Sequence, residues 1–109
     1  MTYVFDIDGT ICEKQTKNDD DYHNSTPYED RIKKINSLYD EGHEIIYMTA
    51  RGMGRNNNNP HAAIQEFYIL TAQQLADWGC KYHHLFLGKP SADFYVDDKG
   101  INDEDFFSN

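Results

Sequence analysis

Two spacings of apolar residues recur along the chain. Tyr3, Val4, Phe5 and Ile7 make a short apolar run that stops at Asp6 and Asp8, and residues 2–7 read as a first strand. Residues 13–25 are polar and read as a loop or flap. In TPYE, Thr26 can cap a helix, Pro27 suits its first position and Glu29 completes a capping box. Ile32, Ile35, Leu38 and Tyr39 then form an apolar stripe ending before Gly42. EIIYM, residues 44–48, reads as a second strand. The loop TARGMGRNNNN leads to Pro60 and a longer helix, in which Ile64, Phe67, Tyr68, Thr71, Leu75 and Trp78 recur at helical spacing as far as Gly79. Ile64, Phe67 and Trp78 are expected in the core. HLFL, residues 84–87, and DFYV, residues 93–96, supply two further strands, and NDEDFF starts a short helix docked by Phe106 and Phe107. Strands alternating with helices predict an α/β fold with a mainly parallel sheet and right-handed crossovers.

A length of 109 residues fits one domain over 1–109, and 39% apolar with 14% aromatic residues is enough for a packed globule. The net charge of −9 argues against general nucleic-acid binding and against anionic membrane surfaces. No apolar run approaches the roughly 18 residues of a membrane span. Cys12 and Cys80 lack metal-ligand spacing, and the opening residues lack the basic and apolar stretches of a signal peptide, so a reducing cytoplasm is expected. The sequence offers no decisive interface and leaves a homo-oligomer open.

In parallel α/β sheets ligands bind outside the carboxyl ends of the strands. The first strand delivers Asp6 and Asp8 there, the second Thr49 and Arg51, the third Lys89, and the fourth Asp97 and Asp98. Two carboxylates ending an interior strand repel each other and lose hydration unless something positive neutralises them. A metal ion and a phosphate are the expected neutralising pair. A calcium loop is the rival reading of DxDG, but an EF-hand places its glycine at the sixth loop position, whereas Gly9 is fourth and directly follows a strand. Arg51 and Arg55 read equally as solvated loop residues or as substrate contacts. Asp19, Asp20, Asp21 and His23 read as a charged loop in preference to a second metal site. Cys12 reads as a packed thiol.

DIDGT at residues 6–10, Thr49 in YMTAR, Lys89 in GKP, and Asp97 and Asp98 in VDD occur in the order of the four motifs of the haloacid dehalogenase superfamily of phosphatases, which the chain resembles over residues 3–98. Within it the chain is most similar to small, capless members, some associated with capsular polysaccharide synthesis. YMTAR also resembles phosphatase domains that act on nucleic-acid ends. The resemblance implies a Rossmann-like three-layer α/β/α sandwich without a substantial cap, and a phosphomonoesterase acting on a small phosphorylated metabolite such as a sugar phosphate. It implies Asp6 as the nucleophile forming an aspartyl-phosphate, Asp8 as the general acid and base, and Thr49 and Lys89 as phosphoryl contacts. Gly9, Thr10 and Arg51 would bind substrate, with Gly9 turning nearby amides toward the anion. Mg²⁺ would be held by Asp6, the backbone carbonyl of Asp8 and Asp97, with Asp98 assisting directly or through water. Nucleotide or nucleic-acid end phosphatase, and a phosphate-binding regulatory protein without turnover, are the alternatives.

Overall fold

The computed structural model describes residues 1–14 and 22–108. The expected loop over 13–25 therefore lies partly outside the described residues, as do Asp19, Asp20 and Asp21. β1 (Thr2–Phe5), β2 (Glu44–Thr49) and β3 (His84–Leu87) form a parallel sheet in the order β1-β2-β3, with Phe5 opposite Tyr47 and Thr49 opposite Leu87. Helices α1 (Glu29–Asp40) and α2 (Pro60–Asp77) connect them, and α3 (Asp103–Phe107) follows near the carboxyl end.

Strand periodicity decides which face is covered. Phe5, Ile45, Tyr47, Leu85 and Leu87 point to one face and are buried with Ile32 and Ile35 of α1 and Phe67 and Leu75 of α2. Two crossovers that step the same way across a sheet place both helices on the same side. The described residues thus build two layers, a sheet and one helical face. The alternate residues point the other way and stay open, with Val4 59% and Phe86 50% exposed and Ile46 and Met48 half-buried.

Both long helices end in the backbone pattern that closes a helix on glycine. His43 N–H donates to Leu38 and Gly42 N–H to Tyr39, and Cys80 N–H donates to Leu75 and Gly79 N–H to Ala76. At the start of α2 the Asn59 side chain accepts from the amides of His61 and Ala62, and Pro60 occupies the first turn. The short C-terminal helix is present as expected, capped by Asn102. Phe106 lies edge-on to Tyr3 and Phe5, and Phe107 stacks on Phe5. Arg31 of α1 reaches Asp103 at 2.6 Å and Lys34 donates to the Phe106 carbonyl, which fixes α3 against α1.

Three expectations are corrected. The helix after residue 25 starts at Glu29 and not at Thr26, because residues 26–28 are extended against 11–13. Glu13 N–H donates to the Thr26 carbonyl and Tyr28 N–H to the Ile11 carbonyl, so neither Thr26 nor Pro27 enters the helix. Ile64 is exposed, and the core face of α2 is Ala63, Phe67, Thr71, Gln74 and Leu75. DFYV forms no strand: Phe94 is 85% and Val96 94% exposed, and 93–96 pair with no other segment among the described residues. No helix among the described residues is long and apolar enough to cross a membrane.

Candidate functional site

Asp6 directly follows β1 at the carboxyl edge of the sheet. One carboxylate oxygen accepts from the Ile7 amide at 2.9 Å, and the other lies 3.5 Å from Lys89 Nζ. Burial pushes the Asp6 carboxyl above its ordinary value; Lys89 and the Ile7 amide pull it down, and the neighbouring charge of Asp8 pushes it up again. Its side chain is still 36% exposed, so an incoming group can reach it. A carboxylate that is poorly hydrated, reachable and beside an ammonium is suited to attack an electrophile whose negative charge that ammonium can take up.

Lys89 is aimed by contacts from three other segments. Its amide donates to the Thr49 carbonyl at 3.2 Å, which continues the β2–β3 pairing by one rung. The next turn is tied down by Ser91 N–H donating to the Asn58 side chain, and the Lys89 ammonium sits 4.3 Å from the centre of the Tyr95 ring. Tyr95 in turn donates its hydroxyl to the Pro90 carbonyl. Thr49 is buried at the end of β2, and its hydroxyl oxygen accepts from the Arg51 amide.

Asp8 has a cation of its own. Arg51 donates Nε to Oδ2 at 2.9 Å and Nη2 to Oδ1 at 3.0 Å, a fork-to-fork pair. Its remaining nitrogen, Nη1, donates to Thr71 at 3.2 Å and to Gln74 at 2.5 Å, and the guanidinium lies 4.6 Å from the Tyr22 ring. The Arg51 side chain is 0% exposed. It is not a solvated loop residue, because its donors turn to protein groups away from solvent. The two carboxylates that end β1 are therefore each neutralised by a side chain of this chain, Lys89 for Asp6 and Arg51 for Asp8.

Gly9 adopts a positive φ of 82°, the backbone turn expected of it. The amides near it are not presented to an anion, however. Gly9 N–H donates to the Cys12 carbonyl, and the Thr10 and Ile11 amides both donate to the Ile7 carbonyl. Thr10 gives its carbonyl to Arg31. Cys12 is fully buried, its thiol pushed up to about 12 by burial and by the charge of Asp8, and it donates to the Ile7 carbonyl and to Asp8. It is a packed thiol, as its sequence context implies.

Asp97 and Asp98 lie in an exposed turn after the missing fourth strand. The Asp97 carboxylate accepts from the amides of Lys99 at 2.7 Å and Gly100 at 2.5 Å, which hold it below the usual carboxylate range. Asp98 faces Lys99 at 3.5 Å. Among the described residues no three His, Cys, Asp or Glu side chains gather as a metal ion would need. In this arrangement the Asp6, Asp97 and Asp98 carboxylates expected around Mg²⁺ do not gather, since Asp97 is turned to the Lys99 and Gly100 amides and Asp98 to Lys99.

The contacts of Asn58 and Tyr95 that position Lys89, and the pairing of Arg51 with Asp8, carry no signature in the sequence. The one local clue was the Asn56–Asn59 tract, since asparagine tolerates the left-handed backbone that Asn57 and Asn58 adopt, with φ of 54° and 59°. No protein-family model and no curated protein matches the chain. A crystal structure of a protein from Vibrio cholerae, described only as a structural target, is similar, with a TM-score of 0.86, 27% identity, and coverage of 96% of this chain and 85% of that one.

Proposed function

We propose that the chain is a phosphomonoesterase in which Asp6 is the nucleophile. The observation that carries this reading is the Asp6–Lys89 pair at the carboxyl edge of a parallel sheet, with a second carboxylate two residues on. An Asp6 oxygen attacks phosphorus, and the ester P–O bond breaks with its electron pair leaving on the alcohol oxygen, which takes a proton from Asp8. Water then attacks the aspartyl-phosphate and gives a proton back to Asp8, and the bond from Asp6 to phosphorus breaks to release phosphate. Lys89 offsets the charge of the phosphoryl oxygens, and the Thr49 hydroxyl donates to one of them. A small phosphorylated metabolite such as a sugar phosphate is the favoured substrate class, since a net charge of −9 opposes a polyanionic chain. A Rossmann-like, haloacid dehalogenase-like fold, action in the cytoplasm and dependence on Mg²⁺ belong to the same proposal. No step is assigned to the metal, because the described side chains do not assemble a site for it.

The test is a turnover screen across sugar phosphates, nucleotides and phosphorylated nucleic-acid ends, in Mg²⁺ and in EDTA. Hydrolysis of sugar phosphates that stops in EDTA is expected. Activity unchanged by the chelator would remove the metal from the proposal, and preference for nucleic-acid ends would replace the substrate class. A second reading is favoured by the arginine fork on Asp8, which occupies both oxygens of the group assigned to proton transfer. It is a phosphate-binding protein without turnover. Phosphate binding by calorimetry, with no hydrolysis of any substrate, would select it.

Lys89→Met keeps much of the stem and removes the ammonium. Loss of a charged hydrogen bond costs roughly 1.5 to 3 kcal/mol, so kcat/KM should fall about ten- to more than hundredfold. The melting temperature should change little, since the ammonium's contacts are a partly exposed carboxylate and the face of Tyr95. Near-parental kinetics would take Lys89 out of the reaction, and a collapsed melting temperature would make its role structural.

A further inference from the structure

Arg51 is the largest fully buried side chain among the described residues, yet it follows the end of β2 by two positions, at the rim where the chemistry is placed. A buried guanidinium is costly unless every donor is satisfied. Here it is held from three directions: by Thr71 and Gln74 on α2, by the Tyr22 ring, and through its amide by the Thr49 hydroxyl. Gln74 also donates its amide to the Tyr22 carbonyl, so the ring and the helix are fixed to each other as well as to Arg51. The one part of this assembly that reaches the rim is Asp8, whose side chain is 18% exposed. Oδ1 accepts from Arg51 and from the Cys12 thiol, whereas Oδ2 accepts from Arg51 Nε, which leaves Oδ2 a lone pair for a reacting proton.

We propose that Arg51 is a positioning residue that orients the Asp8 carboxylate by its two-donor fork and acts on the reaction only through Asp8, without touching the substrate. The proposal rests on the phosphatase reading. Asp8 stands on the turn after β1, and its carboxylate could otherwise rotate about two side-chain bonds. The fork fixes both the plane and the direction of that carboxylate relative to α2. A lysine at this position supplies charge at one point and cannot reproduce two parallel bonds.

Arg51→Lys separates orientation from charge. Since a misplacement of about 1 Å can cost on the order of 10²-fold, kcat should fall by about that factor. KM and the inhibition constant of inorganic phosphate should stay within about twofold, because neither depends on Asp8 orientation. A substrate contact would instead raise KM and weaken phosphate binding, and that result overturns the proposal. In an Asp8→Asn background, adding Arg51→Lys should cost no further activity, because the group it orients no longer carries a proton. Additive losses would show that Arg51 acts elsewhere. If Arg51→Lys fails to fold, Thr71→Val removes one acceptor of Nη1 and should give a smaller kcat loss at unchanged KM; unchanged kcat there would also count against the proposal. A parent protein without turnover defeats the phosphatase reading and this inference together, whereas Asp8-dependent turnover that ignores Arg51 defeats this inference alone.

Discussion

Asp6→Asn should abolish phosphomonoester turnover and at the same time make the protein more stable at neutral pH. The first effect follows from the assigned chemistry, because an amide oxygen cannot form the covalent phosphoryl intermediate that splits hydrolysis into two steps. The second follows from burial. Asp6 holds its carboxyl above the ordinary value, so the folded protein binds a proton over a pH range where the unfolded chain has already released it. Stability is therefore lost as pH rises from the ordinary carboxylate value through the raised one, and the full penalty is present at neutrality. Asparagine cannot ionise and escapes it. The melting temperature of Asp6→Asn should exceed that of the parent at pH 7, and the gap should close below the ordinary carboxylate range, where both side chains are neutral. Parent and variant are best compared by thermal melting at several pH values, alongside turnover of the best substrate. Near-parental hydrolysis would overturn the nucleophile, and a melting temperature lower at pH 7 than the parent's would mean that the Lys89 pairing outweighs desolvation.

The largest loss of stability from a small change is expected at Gly52. Its φ is 79°, a backbone region that side chains rarely adopt, and an added Cβ would stand 2.6 Å from Phe67 Cδ2 and 3.1 Å from Ala63 Cα. Left-handed strain costs a non-glycine residue roughly 1 to 2 kcal/mol, and overpacking adds about 1 to 3 kcal/mol. Gly52→Ala should therefore cost about 2 to 5 kcal/mol and lower the melting temperature by at least about 8 °C. Phe67 belongs to the core and α2 also carries Thr71 and Gln74, so a helix pushed outward would loosen Arg51 too. A melting temperature within a few degrees of the parent's would show that α2 yields without strain.

The strands TYVF, EIIYM and HLFL were legible because their alternation is satisfied by the helices that immediately follow or precede them, within single β-α-β units. Those units also carry Asp6, Thr49 and Lys89 to one edge, and that part of the candidate site follows from local pattern and parallel topology. DFYV has the same strand-like composition, but an extended segment becomes a strand only where an edge accepts it, and no pattern within the segment reports that. Thr26 and Pro27 carry a helix-start signature that is overridden by backbone pairing to residues 11–13, a contact set by the turn at Gly9. Arg51 was least legible. Its burial is decided by Asp8, 43 positions earlier, and by Thr71 and Gln74, 20 and 23 positions later, none of which announces itself as a partner. The expected neutralisation of the paired aspartates was sound as electrostatics. Part of that neutralisation comes from Lys89 and Arg51, which the fold itself brings to the pair.

The uncovered face of the sheet bears on how the protein behaves at high concentration. Val4 and Phe86 stand open on edge strands, flanked by Ile46 and Met48, and edge strands with apolar faces are where chains adhere to one another. With no second layer of helices among the described residues on that side, long-range repulsion between copies, each carrying −9, is what opposes such contact at neutral pH. The repulsion vanishes near the isoelectric point of about 4.7 and is screened within about 10 Å at 0.1 M salt. Solubility should fall steeply on mild acidification, and Phe86→Lys, which breaks up the apolar face, should restore much of it. The excess of acidic side chains would then serve as a colloidal stabiliser for an open sheet, and the protein would be handled best in low salt above neutral pH.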